Sequence, residues 1–210
     1  MGDSIMGDSI VGDGMTSTKK SVLVTGASRG YGRIVAHALE PDWDVIYLCR
    51  SKPVMVPEFE AERWLDADLD EPGSSVHVVG DIASWNKPLS HIIHCAFNHT
   101  KAEVETLNVY DFFTQIAVNV LEPMILTKNL LDFGALEWSG SSIFLRDHRE
   151  FPQKLMPTGL SKDMLEVAAK RFEQFWPVSF SYSFVSPPDR SRMGSGEQLV
   201  KEIKQKLELV

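Results

Sequence analysis

The sequence has few cysteines, no long apolar run and no excess of basic residues. No apolar run approaches the roughly 18 residues that a membrane-spanning helix needs, so we expect no membrane association. The net charge of −8 argues against a broad nucleic-acid interface, which requires a basic face. The two cysteines, Cys49 and Cys95, fall late in two predicted strands. With one strand between them they would lie about 9–10 Å apart, too far for a disulfide, so we expect a reducing, cytoplasmic location.

The length and composition of the chain suit a single domain. The chain has 210 residues, 43% apolar and 24% charged, which is enough for an α/β domain with a sizeable core. Residues 1–20 contain the near-repeat MGDSI, MGDSI, VGDGM, which is small, acidic and rich in glycine. Such a segment cannot bury enough surface to order itself. We therefore expect a flexible tail at 1–20 and a single domain at 21–210.

Residues 21–39, SVLVTGASRGYGRIVAHAL, predict a buried strand, a glycine-rich turn and an amphipathic helix. This succession is typical of the first βα unit of a dinucleotide-binding fold. Gly26 would let the chain leave the strand sharply, Gly30 would let backbone N–H groups approach a pyrophosphate, and Gly32 would let the helix pack close to the strand. The helix N-terminus would face the phosphates with its partial positive charge. The alternative is a glycine-rich turn without a ligand.

The spacing G-x-x-x-G-x-G in TGASRGYG, residues 25–32, resembles the cofactor loop of the short-chain dehydrogenase/reductase family. The resemblance covers residues 21–193. It implies a Rossmann-type doubly wound parallel sheet of about six strands in three αβα layers, without the seventh strand usual in the family. It also implies NADP(H) as the cofactor. The cofactor-binding positions would be Gly26, Ser28, Arg29, Gly30, Tyr31, Gly32, Arg50, Ser51, Asp81, Ile82, Ala96, Lys162 and Pro187.

Two arginines favour NADP(H) over NAD(H). Arg50 lies 18 residues after Gly32, at the end of a strand predicted over 44–49, and no acidic residue follows it directly. An acidic residue near this position takes the ribose 2′-OH of NAD, whereas an arginine accommodates the 2′-phosphate of NADP. Arg29 in the loop adds a second guanidinium suited to bidentate phosphate binding, and Ser51 follows Arg50. Two solvated surface arginines are the alternative.

A short helix is predicted over 57–65, and the next two strands are predicted over 76–79 and 89–96. The resemblance implies that Asp81 accepts from the adenine amino group and that Ile82 flanks the ring; a helix cap is the alternative. After the second of these strands, Ala96 matches the family pattern, but Phe97 replaces a glycine that leaves space for the cofactor. A bulky ring there would crowd or reshape the nicotinamide side. His91 and His94 point to opposite faces of a strand, so we expect no metal site.

The catalytic positions match the family only in part. Asn119 falls on the asparagine that bends a long helix, here predicted over 107–133 with a kink at Pro123, and holds a water in the proton relay. Lys162 falls on the lysine that binds the nicotinamide ribose and lowers the pKa of the catalytic tyrosine; a solvated helix residue is the alternative. Thr158 stands where that tyrosine is expected, and an aliphatic hydroxyl is a poor proton donor. The serine expected at the end of the strand predicted over 140–147 is also absent. Pro187 fits the position that touches the nicotinamide amide.

Three functional hypotheses follow. The first is an NADP(H)-binding protein with a degenerate catalytic site and weak or no oxidoreductase activity, a pseudoenzyme. The second is an active NADPH-dependent carbonyl oxidoreductase for a small carbonyl substrate, with Asp147, His148 or Tyr31 as an unusual proton donor. The third is an interaction or regulatory protein that keeps only the fold. The resemblance further implies a homo-oligomer through the helices at 107–133 and 158–175.

Overall fold

The computed structural model describes residues 19–50, 64–71, 73–85, 87–98, 108–146, 156–177, 179–187 and 195–208, without the side chains of 156–159. The strands are β1 Ser21–Thr25, β2 Asp44–Cys49, β3 Trp64–Asp66, β4 Leu89–His94, β5 Leu136–Leu145 and β6 Ser181–Val185. The helices are α1 Gly30–Leu39, α2 Ser75–Ser84, α3 Val109–Ile116, α4 Glu122–Asp132, α5 Met156–Phe172 and α6 Ser195–Glu208. A π-helical turn, Ala117–Leu121, joins α3 to α4, and a 3₁₀ turn, Glu173–Phe175, follows α5.

The six strands form one parallel sheet in the order β3-β2-β1-β4-β5-β6. This confirms the predicted Rossmann-type doubly wound sheet. The strand order reverses between β1 and β4, and ligands of such sheets bind in the crevice at that switch point. Cys49 ends β2 and Cys95 follows β4, the strands on either side of β1, and neither cysteine forms a disulfide.

Helices cover both faces of the sheet, as the alternation along β1 requires. Val22 and Val24 face a core formed with α1 and α6, while Leu23 faces a core formed with α2, α4 and α5. All five residues of β1 are buried, as expected for a central strand covered on both faces. Burial of each such aliphatic side chain contributes about 1.5–3 kcal/mol. Packing of helices on both faces therefore holds the strand ends in place along one edge of the sheet.

The prediction of a strand at residues 76–79 is wrong, because these residues lie in helix α2. Val78, Val79 and Ile82 are buried, whereas His77 and Gly80 are exposed, which is the periodicity of a helix that packs one face on the sheet. The third strand is instead Trp64–Asp66, which pairs with the end of β2. The short helix predicted over 57–65 lies mostly outside the described residues, and its last two positions belong to β3.

The interruption predicted at Pro123 takes the form of the π-helical turn. In a regular α-helix the proline ring would clash with the carbonyl of Asn119, four residues earlier. The N–H of Glu122 instead donates to the carbonyl of Ala117, five residues earlier. Such single π turns are frequent at functional sites. Here the turn carries Asn119, whose side chain is buried.

Candidate functional site

A cleft of about 580 Å³ crosses the edge of the sheet at the C-terminal ends of the strands. Residues that follow β1, β2, β3, β4 and β6 line it, together with the end of β5 and one residue of α5. The predicted cofactor residues that line it are Gly26, Ser28, Arg29, Gly30, Tyr31, Gly32, Arg50, Ala96, Lys162 and Pro187. Ser51 lies outside the described residues.

The glycine loop is packed too tightly for side chains at two of its positions. A Cβ on Gly26 would lie 2.6 Å from the Cα of Ala96, and Gly26 has a φ of +65°. A Cβ on Gly32 would overlap the carbonyl oxygen of Gly26. Thr25 ties the loop to the next strand, because its Oγ1 accepts from the N–H groups of Cys95 at 3.1 Å and Ala96 at 3.0 Å. The loop is therefore held close to the end of β4, beside the start of α1.

One end of the cleft, beside β2 and β3, is polar. The Arg50 Nη1 lies 3.7 Å from an Asp68 carboxylate oxygen and 3.6 Å from an Asp70 carboxylate oxygen. Burial, reinforced by repulsion from Asp68, raises the pKa of Asp70 above its ordinary value. The Asn98 amide donates to Asp70 at 3.5 Å. Because the Arg50 side chain is 60% exposed, these ion pairs are screened and leave the guanidinium accessible to an anion.

The structure corrects the placement of Asp81 and Ile82. Both lie on helix α2 and neither lines the cleft. Ile82 is 1% exposed and packs in the core, and Asp81 lies on the exposed side of the helix. An aspartate followed by an apolar residue does occur after the true third strand, at Asp68 and Leu69, and both of these residues line the cleft.

Asn119 lies behind the cleft and holds the loop that follows β4. Its Oδ1 accepts from the Asn98 N–H at 2.9 Å, and its Nδ2 donates to the Asn98 carbonyl at 2.9 Å. The same amide donates to the Ser161 Oγ at 3.0 Å, so each of its polar functions has a partner. The structure thus places this predicted catalytic residue as a brace between the π-helical turn, the β4 loop and α5.

Lys162 lies in the cleft and contacts Phe97. Its Nζ donates to the Leu145 carbonyl at 3.0 Å and lies 4.4 Å from the centroid of the Phe97 ring. Lys162 is 7% exposed, a setting in which a cation–π contact contributes about 2 kcal/mol. Thr158 lies one helical turn earlier on α5, with its side chain outside the description. Burial raises the pKa of the neighbouring Cys95 to about 12, so its thiol is not a nucleophile at neutral pH.

The two histidines of β4 are buried side chains whose surroundings favour the neutral ring. His91 meets the Ser141 Oγ at 2.8 Å, and His94 meets the Thr127 Oγ1 at 2.8 Å and stacks on Phe144. Burial lowers the pKa of His91 to about 4 and of His94 to about 3. Across the described residues there is no group of three or more side chains that could hold a metal ion. His99 lies outside the description.

Several residues that line the cleft were not predicted from the sequence. They are Leu48, Cys49, Ala67, Asp68, Leu69, Asp70, Cys95, Asn98, Val118 and Leu145. Most of them directly follow or end a strand, so the rule that ligands bind beyond the carboxyl ends of parallel strands could have identified them once β3 was placed correctly. Val118 and Asn98 carry no such signal, because the π-helical turn and the brace at Asn119 place them.

The sheet order is that of a Rossmann-type fold, and solved structures of the short-chain dehydrogenase/reductase family share this fold. An oxidoreductase of that family from Brucella ovis, solved with a partially ordered NAD, is similar with a TM-score of 0.78 and 19% identity, over 90% of this chain and 93% of that one. A family member from Burkholderia multivorans with bound NADP has a TM-score of 0.74 and 18% identity over 91% of each chain. A carbonyl reductase from Pseudomonas aeruginosa has a TM-score of 0.73 and 19% identity, over 90% of this chain and 93% of that one.

At these identities the likeness establishes the fold. No protein-family model and no curated protein matches the sequence. In the part of the chain that the structure describes, no helix is both long and apolar enough to cross a membrane.

Proposed function

We propose that the chain binds NADP(H) in this cleft and that its hydride-transfer site is degenerate, so that oxidoreductase activity is weak or absent. The observation that carries the proposal is that the groups suited to bind phosphate lie at one end of the cleft. The end beside β1, β2 and β3 has the glycine loop, Arg29 and Arg50. At the other end Lys162 lies against Phe97, and of the four tyrosines in the sequence only Tyr31, in the glycine loop, lines the cleft.

The phosphates of a dinucleotide have matching groups at the first end. The N-terminus of α1 follows the loop and carries the partial positive charge of a helix N-terminus. Arg29 is exposed at the residue before the helix. Arg50 stands beyond β2, where a ribose 2′-phosphate would lie. Its two carboxylate neighbours keep the guanidinium at the cleft before the ligand arrives, and its exposure lets it turn to a phosphate.

Replacement of Arg50 by alanine tests the choice of cofactor. Arg50→Ala is expected to weaken NADPH binding about tenfold or more and to leave NADH binding nearly unchanged, because only NADPH has the 2′-phosphate. Calorimetric titration of both nucleotides measures the two effects. Arg33→Ala, on α1 and outside the cleft, is the matched control and should change neither affinity. Equal losses for NADPH and NADH in Arg50→Ala would contradict a 2′-phosphate contact.

A turnover assay tests the degenerate catalytic site. NADPH oxidation against a panel of aldehydes, ketones and quinones is expected to stay at the background rate, because Thr158 cannot replace a tyrosine as proton donor. Lys162→Ala should therefore leave that rate unchanged. Turnover that Lys162→Ala abolishes would contradict the proposal and favour an active carbonyl oxidoreductase with another proton donor.

The proposal includes a homo-oligomer, supported by a surface that we call the apolar stripe. It comprises exposed side chains of α3, the π-helical turn, α4 and α5, namely Val109, Tyr110, Phe113, Leu121, Ile125, Leu160, Met164 and Val167. Helices α3 and α5 pack against one another, so their stripe residues lie on neighbouring helices. Exposed apolar side chains grouped on neighbouring helices favour an interaction site.

The proposal also includes a reducing, cytoplasmic location. The absence of a disulfide between Cys49 and Cys95 fits this location.

Introduction of negative charge into the apolar stripe tests the oligomer. The wild-type chain is expected to sediment as a dimer or larger species. Phe113→Glu combined with Val167→Glu should give a monomer, because both side chains are more than half exposed and would be buried in the interface. Val76→Glu, on an exposed position of α2 outside the stripe, is the control and should leave the oligomer intact. A wild-type monomer at micromolar concentrations would contradict this part of the proposal.

A further inference from the structure

The cleft has two ends of different chemistry, and the sheet order says which half of a dinucleotide each would meet. The glycine loop holds the pyrophosphate at the switch point between β1 and β4, and residues that follow β2 contact the adenosine ribose. The adenosine half therefore lies towards β2 and β3. The nicotinamide half would lie towards β4, β5 and β6, where the cleft is lined by Phe97, Val118, Leu145 and Pro187.

Lys162 is the charged side chain among the described residues that line the nicotinamide end, and it already has partners there. The residue is 7% exposed, and its ammonium donates to the Leu145 carbonyl and lies 4.4 Å from the centroid of the Phe97 ring. A nicotinamide ribose that took the place of this ring on the ammonium would have to displace it. The Phe97 ring, which is 42% exposed, would then lose its contact with the ammonium, and the lysine would lose its cation–π partner.

The backbone next to Phe97 cannot withdraw to make room. Asn119 holds the N–H and the carbonyl of Asn98 with two hydrogen bonds of 2.9 Å, and its amide also donates to Ser161 on α5. On the other side, the Ala96 N–H donates to Thr25 and the Ala96 Cα lies against Gly26. Phe97 is thus fixed between two anchored residues, and only its side chain is left to move.

From this we infer that the cleft selects the adenosine half, namely 2′-phosphorylated adenosine 5′-diphosphate nucleotides, and leaves the nicotinamide ring unbound. The inference rests on the proposed function, because it assigns the binding energy of that site to one half of the ligand. Phe97 acts as the residue that determines this specificity. NADPH and 2′-phospho-ADP, which lacks both the nicotinamide ring and its ribose, should then bind alike.

Calorimetric titration of both nucleotides, with the wild-type chain and with Phe97→Ala, tests the inference. The wild type should bind NADPH and 2′-phospho-ADP with dissociation constants within about threefold of each other. Phe97→Ala should bind NADPH about tenfold more tightly and 2′-phospho-ADP as before, because removal of the ring releases Lys162 to the nicotinamide ribose, which only NADPH has. Phe133→Ala, an exposed phenylalanine outside both the cleft and the apolar stripe, is the matched control and should change neither constant.

Saturation-transfer NMR on the wild-type chain gives a second readout that needs no variant. With NADP⁺ as ligand, the adenine protons should receive saturation and the nicotinamide protons should receive little. NADPH binding at least about tenfold tighter than 2′-phospho-ADP, or equal saturation of both rings, would overturn the inference and leave NADP(H) binding intact. Failure of both nucleotides to bind the wild type would overturn the proposed function as well.

Discussion

Gly26→Ala is expected to lower the free energy of unfolding by about 3–5 kcal/mol, among the largest effects of any single substitution in the chain. Two costs combine. Gly26 has a φ of +65°, where an L-residue with a side chain loses about 1–2 kcal/mol. Its new Cβ would also lie 2.6 Å from the Cα and 2.7 Å from the nitrogen of Ala96. These are backbone atoms held in place by the hydrogen bonds of Thr25, so they cannot move aside cheaply.

Gly134→Ala is the matched control, because it keeps the first cost and removes the second. Gly134 has a φ of +67°, and a Cβ there would meet nothing within 4 Å. Its loss should therefore be only about 1–2 kcal/mol. Urea unfolding followed by circular dichroism measures both variants. Equal losses would show that the contact with Ala96 carries no energy, and would contradict the close approach of the glycine loop to β4.

Acidification is expected to destabilise the folded chain between about pH 6.5 and about pH 3, through His91 and His94. Their folded-state pKa values, about 4 and about 3, lie below the unfolded value of 6.5, because burial disfavours the charged ring. The unfolded chain therefore binds more protons in this interval. The stability that the two neutral rings contribute is complete above pH 6.5, falls as the pH drops below that value, and is lost once the pH passes the folded pKa values.

Replacement of either histidine separates this effect from general acid unfolding. His91→Phe or His94→Asn should reduce the dependence of unfolding free energy on pH by about 1.4 kcal/mol per pH unit within the interval. The slope is the readout, so a variant that is less stable overall still reports on it. Val76→Asn, on the exposed side of α2, removes no titratable group and should leave the slope unchanged. An unaltered slope in both core variants would contradict their burial as neutral rings.

The sequence predicts the fold best where a local pattern and the chain order agree. The first βα unit is confirmed. Its pattern is predictive because glycine is sterically required there, as the close approach of Gly26 to Ala96 shows. Strand β3 could not be predicted, because three residues, Trp64–Asp66, are too few to have a period. The valine-rich segment at 76–79 reads equally well as a buried strand or as one face of a helix, and packing against the sheet decides in favour of the helix.

The glycine loop of the candidate site could be predicted from the sequence, whereas the contacts between side chains distant in the chain could not. Phe97 stood out in the sequence as a ring at a position where the family has a glycine, but its partner is a lysine on a helix far along the chain. Only the docking of α5 beside the end of β5 brings Lys162 to that ring. Asn119 was identified from its helix, yet its role as a brace depends on the loop at Asn98. Pairings of this kind arise from tertiary packing and leave no local pattern.

The central claim is that this cleft binds NADP(H), and calorimetric titration of the wild-type chain with NADPH and NADH tests it most directly. We expect saturable, one-to-one binding of NADPH, tighter than that of NADH, because Arg29 and Arg50 line the cleft and are proposed to contact the 2′-phosphate. Absence of binding by either nucleotide at millimolar concentration would contradict it and would leave the chain with the fold alone.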